Sequence, residues 1–268
     1  MLDESQPLIV SIVIPVFNEL NTIEELLRRV HQVVLGGVEK EIVIVDDGST
    51  DGTALWLGEL LNTIQAGRDP AWAGLSRHYI KVLFHTQNLG KGAALHRGFR
   101  EARGDIVLVQ DADLEYNPQD YESLLMPILN DTADVVYGSR FLSPQRPMWT
   151  MAGYIGNKLI TALSNVLTGL SLSDVWTGYK VFKRSVIHAM TLNEAGFELE
   201  LELTGKVAQG RWRICEVPIS YFPRSRAEGK KITWKDGIKA IRCMFRYRRR
   251  KLLGQPNTSQ NLLSQKDS

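Results

Sequence analysis

Through the first 140 residues, short apolar runs rich in β-branched residues alternate with stretches of helical spacing, without an internal sequence repeat. The apolar runs are Ile9–Ile14, Glu41–Val45, Tyr79–Phe84, Ile106–Val109 and Asp134–Tyr137. The helical stretches are Thr22–Val34, Thr53–Ile64, Gly92–Ala102 and Pro118–Leu129. Strands alternating with helices of this length build βαβ units, and βαβ units build a mainly parallel sheet with helices on both faces. The chain is therefore expected to be α/β. Cap chemistry agrees: Asn21 precedes a helix whose third residue is Glu24, Thr50-Asp51-Gly52 precedes the next, and Pro118 suits a first helical position.

After Arg140 the pattern changes. Residues 143–147 read as a loop, Tyr154–Thr168 and Phe197–Gln209 as helices, and Val181–Phe182, Arg213–Val217 and Ile219–Phe222 as short strands. Residues 1–253 are read as a single domain with halves at 8–140 and 141–253. The polar stretch 254–268 is expected to be disordered. At 44% hydrophobic and 23% charged residues the composition is that of a soluble globular protein. No run of 18 apolar residues spans a bilayer, and the acidic start MLDESQPLIV lacks the basic region of a signal peptide. Two cysteines, Cys215 and Cys243, make no disulfide framework, which predicts a reduced, cytoplasmic setting. Charge is uneven. Arg224–Lys251 holds 12 Lys/Arg against 2 Asp/Glu, so +10 sits there in a chain of net +2.

Four strand ends carry chemistry. Asp111-Ala112-Asp113 follows Ile106–Val109, and two carboxylates at i and i+2 there suit a hard divalent cation shared with substrate phosphates. The same pattern also serves turns and helix caps. Pro15-Val16-Phe17-Asn18-Glu19 ends the first strand; Phe17 can lie against a planar base and Glu19 can meet its polar edges, unless this is an ordinary βα turn. Asp46 and Asp47 stand side by side, which costs energy unless a donor or cation is near. A base N–H or ribose hydroxyl would suit Asp46, while Thr50 or Asp51 caps the following helix. Asn88-Leu89-Gly90-Lys91-Gly92 offers a helix N-terminus and a lysine to an anion, although the spacing excludes a P-loop.

In order along the chain stand Ile12-Val13-Ile14-Pro15-Val16-Phe17-Asn18-Glu19, Val45-Asp46-Asp47-Gly48-Ser49-Thr50-Asp51, Asn88-Leu89-Gly90-Lys91-Gly92, and Gly104-Asp105-Ile106-Val107 running on to Gln110-Asp111-Ala112-Asp113. Together these resemble the nucleotide-sugar domain of family 2 glycosyltransferases, the GT-A fold. Three further segments are similar to the polyprenyl-phosphate, dolichol-phosphate-mannose-synthase-like branch of that family. They are Asp111–Pro118, Val136-Tyr137-Gly138-Ser139-Arg140-Phe141 and Thr177-Gly178-Tyr179-Lys180-Val181-Phe182.

The resemblance implies a Rossmann-like, mainly parallel sheet and a hexosyltransferase activity. It implies a nucleotide-sugar half at 8–140 and an acceptor half at 141–253. Pro15, Phe17, Glu19 and Asp46 would contact the nucleotide of a UDP- or GDP-sugar. Asp111, Ala112 and Asp113 would meet its diphosphate. Asp111 and Asp113 would hold Mg²⁺ or Mn²⁺; Glu115 departs from the branch, which often has Gln there, and its carboxylate would be a further metal ligand. Arg140 would meet an acceptor phosphate. The segment Arg224–Lys231 is similar to a family loop that closes on the diphosphate, with Arg226 matching and Lys230 and Lys231 standing where the family has Ser-Lys.

A polyprenyl phosphate is already anionic and needs no general base. A hydroxyl acceptor would need one, and Asp174, Glu198, Glu200 and Glu202 are the candidates, the last two being equally suited to a helix surface. The C-terminal helix should be amphipathic and basic, with Trp234, Ile238, Ile241 and Phe245 on one stripe and Lys235, Lys239, Arg242 and Arg246 beside it, followed by Arg248–Lys251. Such a helix suits an anionic membrane surface, or else packs on the domain with a solvated basic face. No nucleic-acid-binding motif accompanies the basic charge. A membrane-protein partner or a homo-oligomer is compatible with the chain, as is a non-catalytic sugar-nucleotide-binding role.

Overall fold

Nine residues, Leu8–Val16, form the strand (β1) around which everything else is placed. β2 (Val38–Asp46) lies parallel to it on one side, from Leu8↔Val38 to Val16↔Asp46, and β4 (Ile106–Val109) lies parallel on the other, from Val10↔Ile106 to Val13↔Val109. β3 (Ile80–Phe84), β5 (Val135–Ser139), β6 (Lys180–Lys183) and β7 (Ile214–Pro218) complete a seven-stranded sheet of order β3-β2-β1-β4-β6-β5-β7. Only β6 runs against its neighbours β4 and β5. These descriptions come from a computed structural model covering residues 7–68, 79–143, 151–224 and 234–248.

The unbroken apolar runs of β1, β2 and β4 are explained by burial on both faces. On one face α1 (Ile23–Gln32), α2 (Thr53–Gln65) and α4 (Tyr121–Leu129) pack Leu26, Leu57 and Leu124 against Ile12, Ile44 and Leu108. On the other, α3 (Lys91–Glu101), α6 (Arg184–His188), α7 (Leu199–Gly210) and α8 (Trp234–Arg246) pack Leu95, Ile187, Leu203 and Met244 against Val13, Val43 and Val107. α5 (Met151–Thr168) lies against α7 and α8. The mainly parallel α/β sheet expected from the sequence is therefore present.

Several local readings change. Ile219–Phe222 is not a strand: Pro218 and Pro223 bracket it, and its pairing is a single bridge, Tyr221 to Tyr116. The cap before α1 is Thr22, whose hydroxyl donates to Glu19 O and Oε2, and not Asn21. Pro118 opens a single 3-10 turn (Pro118–Asp120) ahead of α4. The five-residue α6 was too short to show a period.

α8 carries two apolar faces. Ala240, Cys243, Met244 and Tyr247 are buried against the domain, whereas Ile241 and Phe245 of the predicted stripe are exposed. The side chains of Trp234 and Ile238 lie outside the description, as do Arg226, Lys230, Lys231, Arg249–Lys251 and the 254–268 tail. Cys215 and Cys243 are both free. No described helix is long and apolar enough to cross a membrane.

The start of β5, the end of β6 and the start of β7 are tied by charge. Asp134 accepts from Arg213 NH2 at 2.7 Å and from Lys183 Nζ at 2.9 Å, and the Arg213 hydrogen bonds hold its carboxyl far below the usual carboxylate range. A depressed folded pKa contributes stability above the unfolded carboxylate pKa of about 3.9, and loses it as pH falls below that value. Asp134→Asn should lower the melting temperature by about 2–4 °C at pH 7. That difference should shrink below about pH 3.9 in thermal unfolding followed by circular dichroism; a gap that persists in acid would remove the charge from the explanation.

Candidate active site

Open α/β sheets bind ligands where strand order reverses, in the crevice beyond the carboxyl ends. Here that point lies between β1 and β4. Pro15, Phe17 and Glu19 from the end of β1 face Asp111, Ala112, Asp113 and Glu115 from the end of β4 across a cleft of about 390 Å³. Arg140, one residue beyond β5, lines the same cleft. Asp46 does not line it. It sits 1% exposed at the end of β2, where Oδ2 accepts the Ser49 N–H at 3.1 Å and Oδ1 has no partner among the described residues.

The neighbouring carboxylate is fully employed. Asp47 Oδ1 accepts the Leu89 N–H and lies 2.7 Å from His85 Nδ1, while Oδ2 accepts the Gly90 N–H at 2.8 Å. Two adjacent aspartates thus divide the work. Asp47 fixes the Asn88–Gly92 loop, and Asp46 keeps one buried acceptor open. Asp51 does more than cap α2: Oδ1 accepts the Thr53 N–H while Oδ2 accepts the Leu20 N–H.

Lys91, on α3, reaches into the cleft. Its ammonium lies 2.7 Å from Asp111 Oδ1 and 3.0 Å from Glu200 Oε1. Burial alone would lower its pKa, but Asp111 and Glu200 outweigh burial and hold it well above the ordinary lysine value. Asp111 is confined from the other side by Gly178, where a Cβ would stand 2.2 Å from Asp111 Oδ2. A side chain at 178 would have to push the Asp111 carboxylate or the Tyr116 ring aside.

The three-carboxylate metal set expected from the sequence is not assembled. Glu115 Oε2 accepts the Tyr221 hydroxyl and Oε1 accepts the Arg224 N–H, each at 2.8 Å. No three His, Cys, Asp or Glu side chains among the described residues are placed to hold a metal. Asp111 and Asp113 remain, and this pair fits Mg²⁺ or Mn²⁺. Such an ion is commonly held by one or two carboxylates, with substrate phosphates and water completing its shell. Charge supports the fit. Among the described residues that line the cleft, Glu19, Asp47, Asp111, Asp113, Glu115 and Glu200 outnumber Lys91, Arg140 and Arg224. An anionic ligand entering this excess of carboxylates needs added positive charge.

Arg224 was not anticipated as a site residue. Its Nε donates to Asp113 O at 2.7 Å and its NH2 lies 2.9 Å from Glu19 Oε2, so it links the β1 end to the β4 end. Its hint in the sequence was its place at the head of the Arg224–Lys231 segment. Arg140 is 6% exposed and bound to Asp174 through Nε (2.7 Å) and NH2 (2.8 Å), with its guanidinium 5.1 Å from the Tyr221 ring centre. A phosphate reaching it meets a guanidinium already paired with a carboxylate.

The general-base candidates fare similarly. Asp174 is fully buried under Arg140. Glu200 and Glu202 are 3% and 0% exposed, which overturns the helix-surface reading. Glu202 accepts the Asn193 and Glu194 N–H groups and pairs with Lys206. Glu200 lies between Lys91 and Lys180; burial would raise its pKa, but the two lysines hold it below the ordinary carboxylate value. Glu198 lies 3.7 Å from Lys239 of α8.

This fold and cleft are those of a GT-A glycosyltransferase. Residues 11–191 match the model of the family described as Glycosyl transferase family 2, and the chain belongs to that family. Among its relatives is a dolichol-phosphate mannosyltransferase of Pyrococcus furiosus, 30% identical over 82% of this chain and 58% of that protein. Another is an undecaprenyl-phosphate mannosyltransferase of Micrococcus luteus, 28% identical over 81% and 85%. These relatives lie in the polyprenyl-phosphate branch, in agreement with the motifs. The chain thus spans somewhat over half of the archaeal relative. In fold, glucosyl-3-phosphoglycerate synthase of Mycobacterium tuberculosis, crystallised with Mn²⁺ and UDP, superposes with a TM-score of 0.63 at 20% identity, covering 90% of this chain and 80% of that one.

Gly178→Ala tests the packing of Asp111. The added methyl should displace the carboxylate and weaken Mn²⁺ binding about tenfold, or ~1.4 kcal/mol, by titration calorimetry. Unchanged Mn²⁺ affinity in a folded variant would take Asp111 out of the metal assignment.

Proposed function

We propose that this protein is a metal-dependent, inverting glycosyltransferase that moves a sugar from a UDP- or GDP-sugar to a polyprenyl phosphate at the cytoplasmic membrane face. The reading rests on one observation above others: three of the four carboxylates considered as general bases are buried and sequestered, and the fourth, Glu198, lies 3.7 Å from Lys239 and does not line the cleft. Asp174 is bound by Arg140, Glu200 is paired with two lysines, and Glu202 is buried on backbone N–H groups and Lys206. A hydroxyl acceptor would have to give up a proton to such a base. A phosphate monoester is already an anion at neutral pH and needs none.

The cleft supplies the remaining parts. Phe17 and Glu19 line the cleft where a nucleotide would lie, whereas Asp46, outside its lining, keeps one buried oxygen without a partner among the described residues. Asp111 and Asp113 would hold the metal, whose contribution is to offset charge growing on the diphosphate. Lys91 adds fixed positive charge at the Asp111 carboxylate, and Arg224 at Asp113, 3.8 Å from its carboxylate. An acceptor phosphate oxygen forms the new bond to the sugar C1 as the C1–O bond to the diphosphate breaks, so a single displacement inverts C1. Arg140 forms part of the wall on the acceptor half and orients that phosphate. Retention of every acidic motif residue speaks against a non-catalytic binding role.

A lipid acceptor places the cleft beside a membrane, and the exposed surface supports this. Met151, Ile155, Leu159 and Val166 recur on one side of α5; Leu159 is 66% and Val166 81% exposed. The helix has one charged residue, Lys158. Beside it α8 exposes Ile241 and Phe245 among Lys239, Arg242 and Arg246. Apolar side chains rimmed by cations match an anionic bilayer surface.

The test is a screen of UDP- and GDP-sugars against undecaprenyl and dolichyl phosphate, reading lipid-linked sugar. The expected result is product with a phosphate acceptor, none with the free polyprenol, and loss of turnover in EDTA. Transfer to the free polyprenol at an equal rate would reverse the acceptor reading. For the surface, Leu159→Gln with Val166→Gln should lower partitioning onto phosphatidylglycerol vesicles by about a hundredfold or more, since each buried aliphatic side chain contributes about 1.5–3 kcal/mol and about 1.4 kcal/mol is tenfold. Undiminished co-sedimentation would exclude α5 from the contact.

A further inference from the structure

Beneath Lys91 lies a chain of charges from three elements. Lys91 comes from α3, Glu200 from the first turn of α7, and Lys180 from β6. Glu200 Oε1 lies 3.0 Å from the Lys91 ammonium and Oε2 lies 2.5 Å from the Lys180 ammonium. Lys180 is fully buried; it donates to Thr177 O at 2.5 Å and Val175 O at 3.3 Å, and stands 4.6 Å from the Tyr137 ring centre. The Glu200 backbone is tied in turn, its carbonyl accepting from Thr204 Oγ1, which lies 3.0 Å from the Tyr137 hydroxyl.

Burying two lysines and a glutamate costs several kcal/mol per ion before pairing, and apolar residues of similar size commonly replace such sets without loss. Of the three, only Lys91 meets the candidate metal carboxylate, at Asp111. Glu200 has no such contact with Asp111 or Asp113. Its two oxygens each face a lysine.

We propose that Glu200, locked by Lys180, is a positioning residue that aims the Lys91 ammonium at the place where a donor diphosphate meets Asp111. This deepens the glycosyl-transfer reading and rests on it. The long Lys91 side chain has four rotatable carbons, and an aimed cation binds a diphosphate better than a wandering one because its rotamer entropy is already spent. Glu200 fixes the aim, and Lys180 keeps Glu200 from turning to solvent or to Asp111's cation. A nucleoside monophosphate, lacking the second phosphate, gains nothing from this arrangement.

The experiment is titration calorimetry of the full chain in Mg²⁺ with UDP, GDP, UMP and GMP. Glu200→Gln should weaken binding of the preferred diphosphate about tenfold and leave its monophosphate within twofold. Since Glu200→Gln leaves Lys180 buried without its counter-charge, the double variant Glu200→Gln/Lys180→Met, which removes both charges, guards against misfolding and should show the same selective loss. Lys91→Met added to Glu200→Gln should cost no more than a further twofold, because the glutamate acts through the lysine. Equal losses for diphosphate and monophosphate, or losses from Lys91→Met and Glu200→Gln that multiply, would overturn the proposal while leaving the function standing. A wild-type protein that binds none of the four nucleotides would overturn both.

Discussion

The parallel pairing of β1 with β4 is the constraint on which the rest depends. The chain runs β1, β2, β3 in one direction across the sheet, then returns to place β4 on the free side of β1. Helices follow the strands on both sides, so the two βα connections at β1 and β4 diverge and leave a gap at the strand ends. Register fixes what faces the gap. With Val13 opposite Val109, the carboxylates that follow β4 stand across from Pro15–Glu19. Loops alone would not hold such a geometry; the hydrogen-bonded ladder does.

Into that gap the protein places more carboxylates than cations, then restrains nearly all of them. Asp47 holds a loop, Glu115 holds the segment after β7, Asp174 holds Arg140, and Glu200 holds two lysines. Each such pair forgoes stability that an apolar core would have given. The return is rigidity at a site where charge must be stabilised without reorganising. It also narrows the chemistry, since a carboxylate already neutralised by arginine or lysine is a poor proton acceptor.

Much of this was legible in the sequence. Uninterrupted β-branched runs at β1, β2 and β4 could hardly be anything but buried parallel strands, and the motifs after them fell at one edge of the sheet. What periodicity could not reveal was which partner each charge would take. Lys91 reads as a lysine for an anion, yet its partners Asp111 and Glu200 are 20 and 109 residues away. Arg224 looks like one more charge in a basic run until β7 carries it to Asp113 and Glu19. α8 was legible only in part, for a different reason. Its apolar stripe leaves Ile241 and Phe245 exposed, and the face packed on the domain is Ala240, Cys243, Met244 and Tyr247, a second set that the stripe did not include. Glu200 and Glu202 were obscured by the same logic, because a helix buried on nearly every side leaves no surface for its charges.

The reversed direction of β6 has a consequence for how such a protein can change. Because β5 and β6 are antiparallel neighbours, the segment between them leaves and re-enters the sheet at one place, where Tyr137 opposes Lys180 and the Gly138 N–H meets Tyr179 O at 2.9 Å. Everything from Arg140 to Gly178, including α5 and the Asp174–Trp176 wall, is an excursion with clamped ends. Lengthening such an excursion costs little, since closure entropy grows only with the logarithm of its length. The segment between β5 and β6 can therefore change in length without disturbing a rung of their pairing.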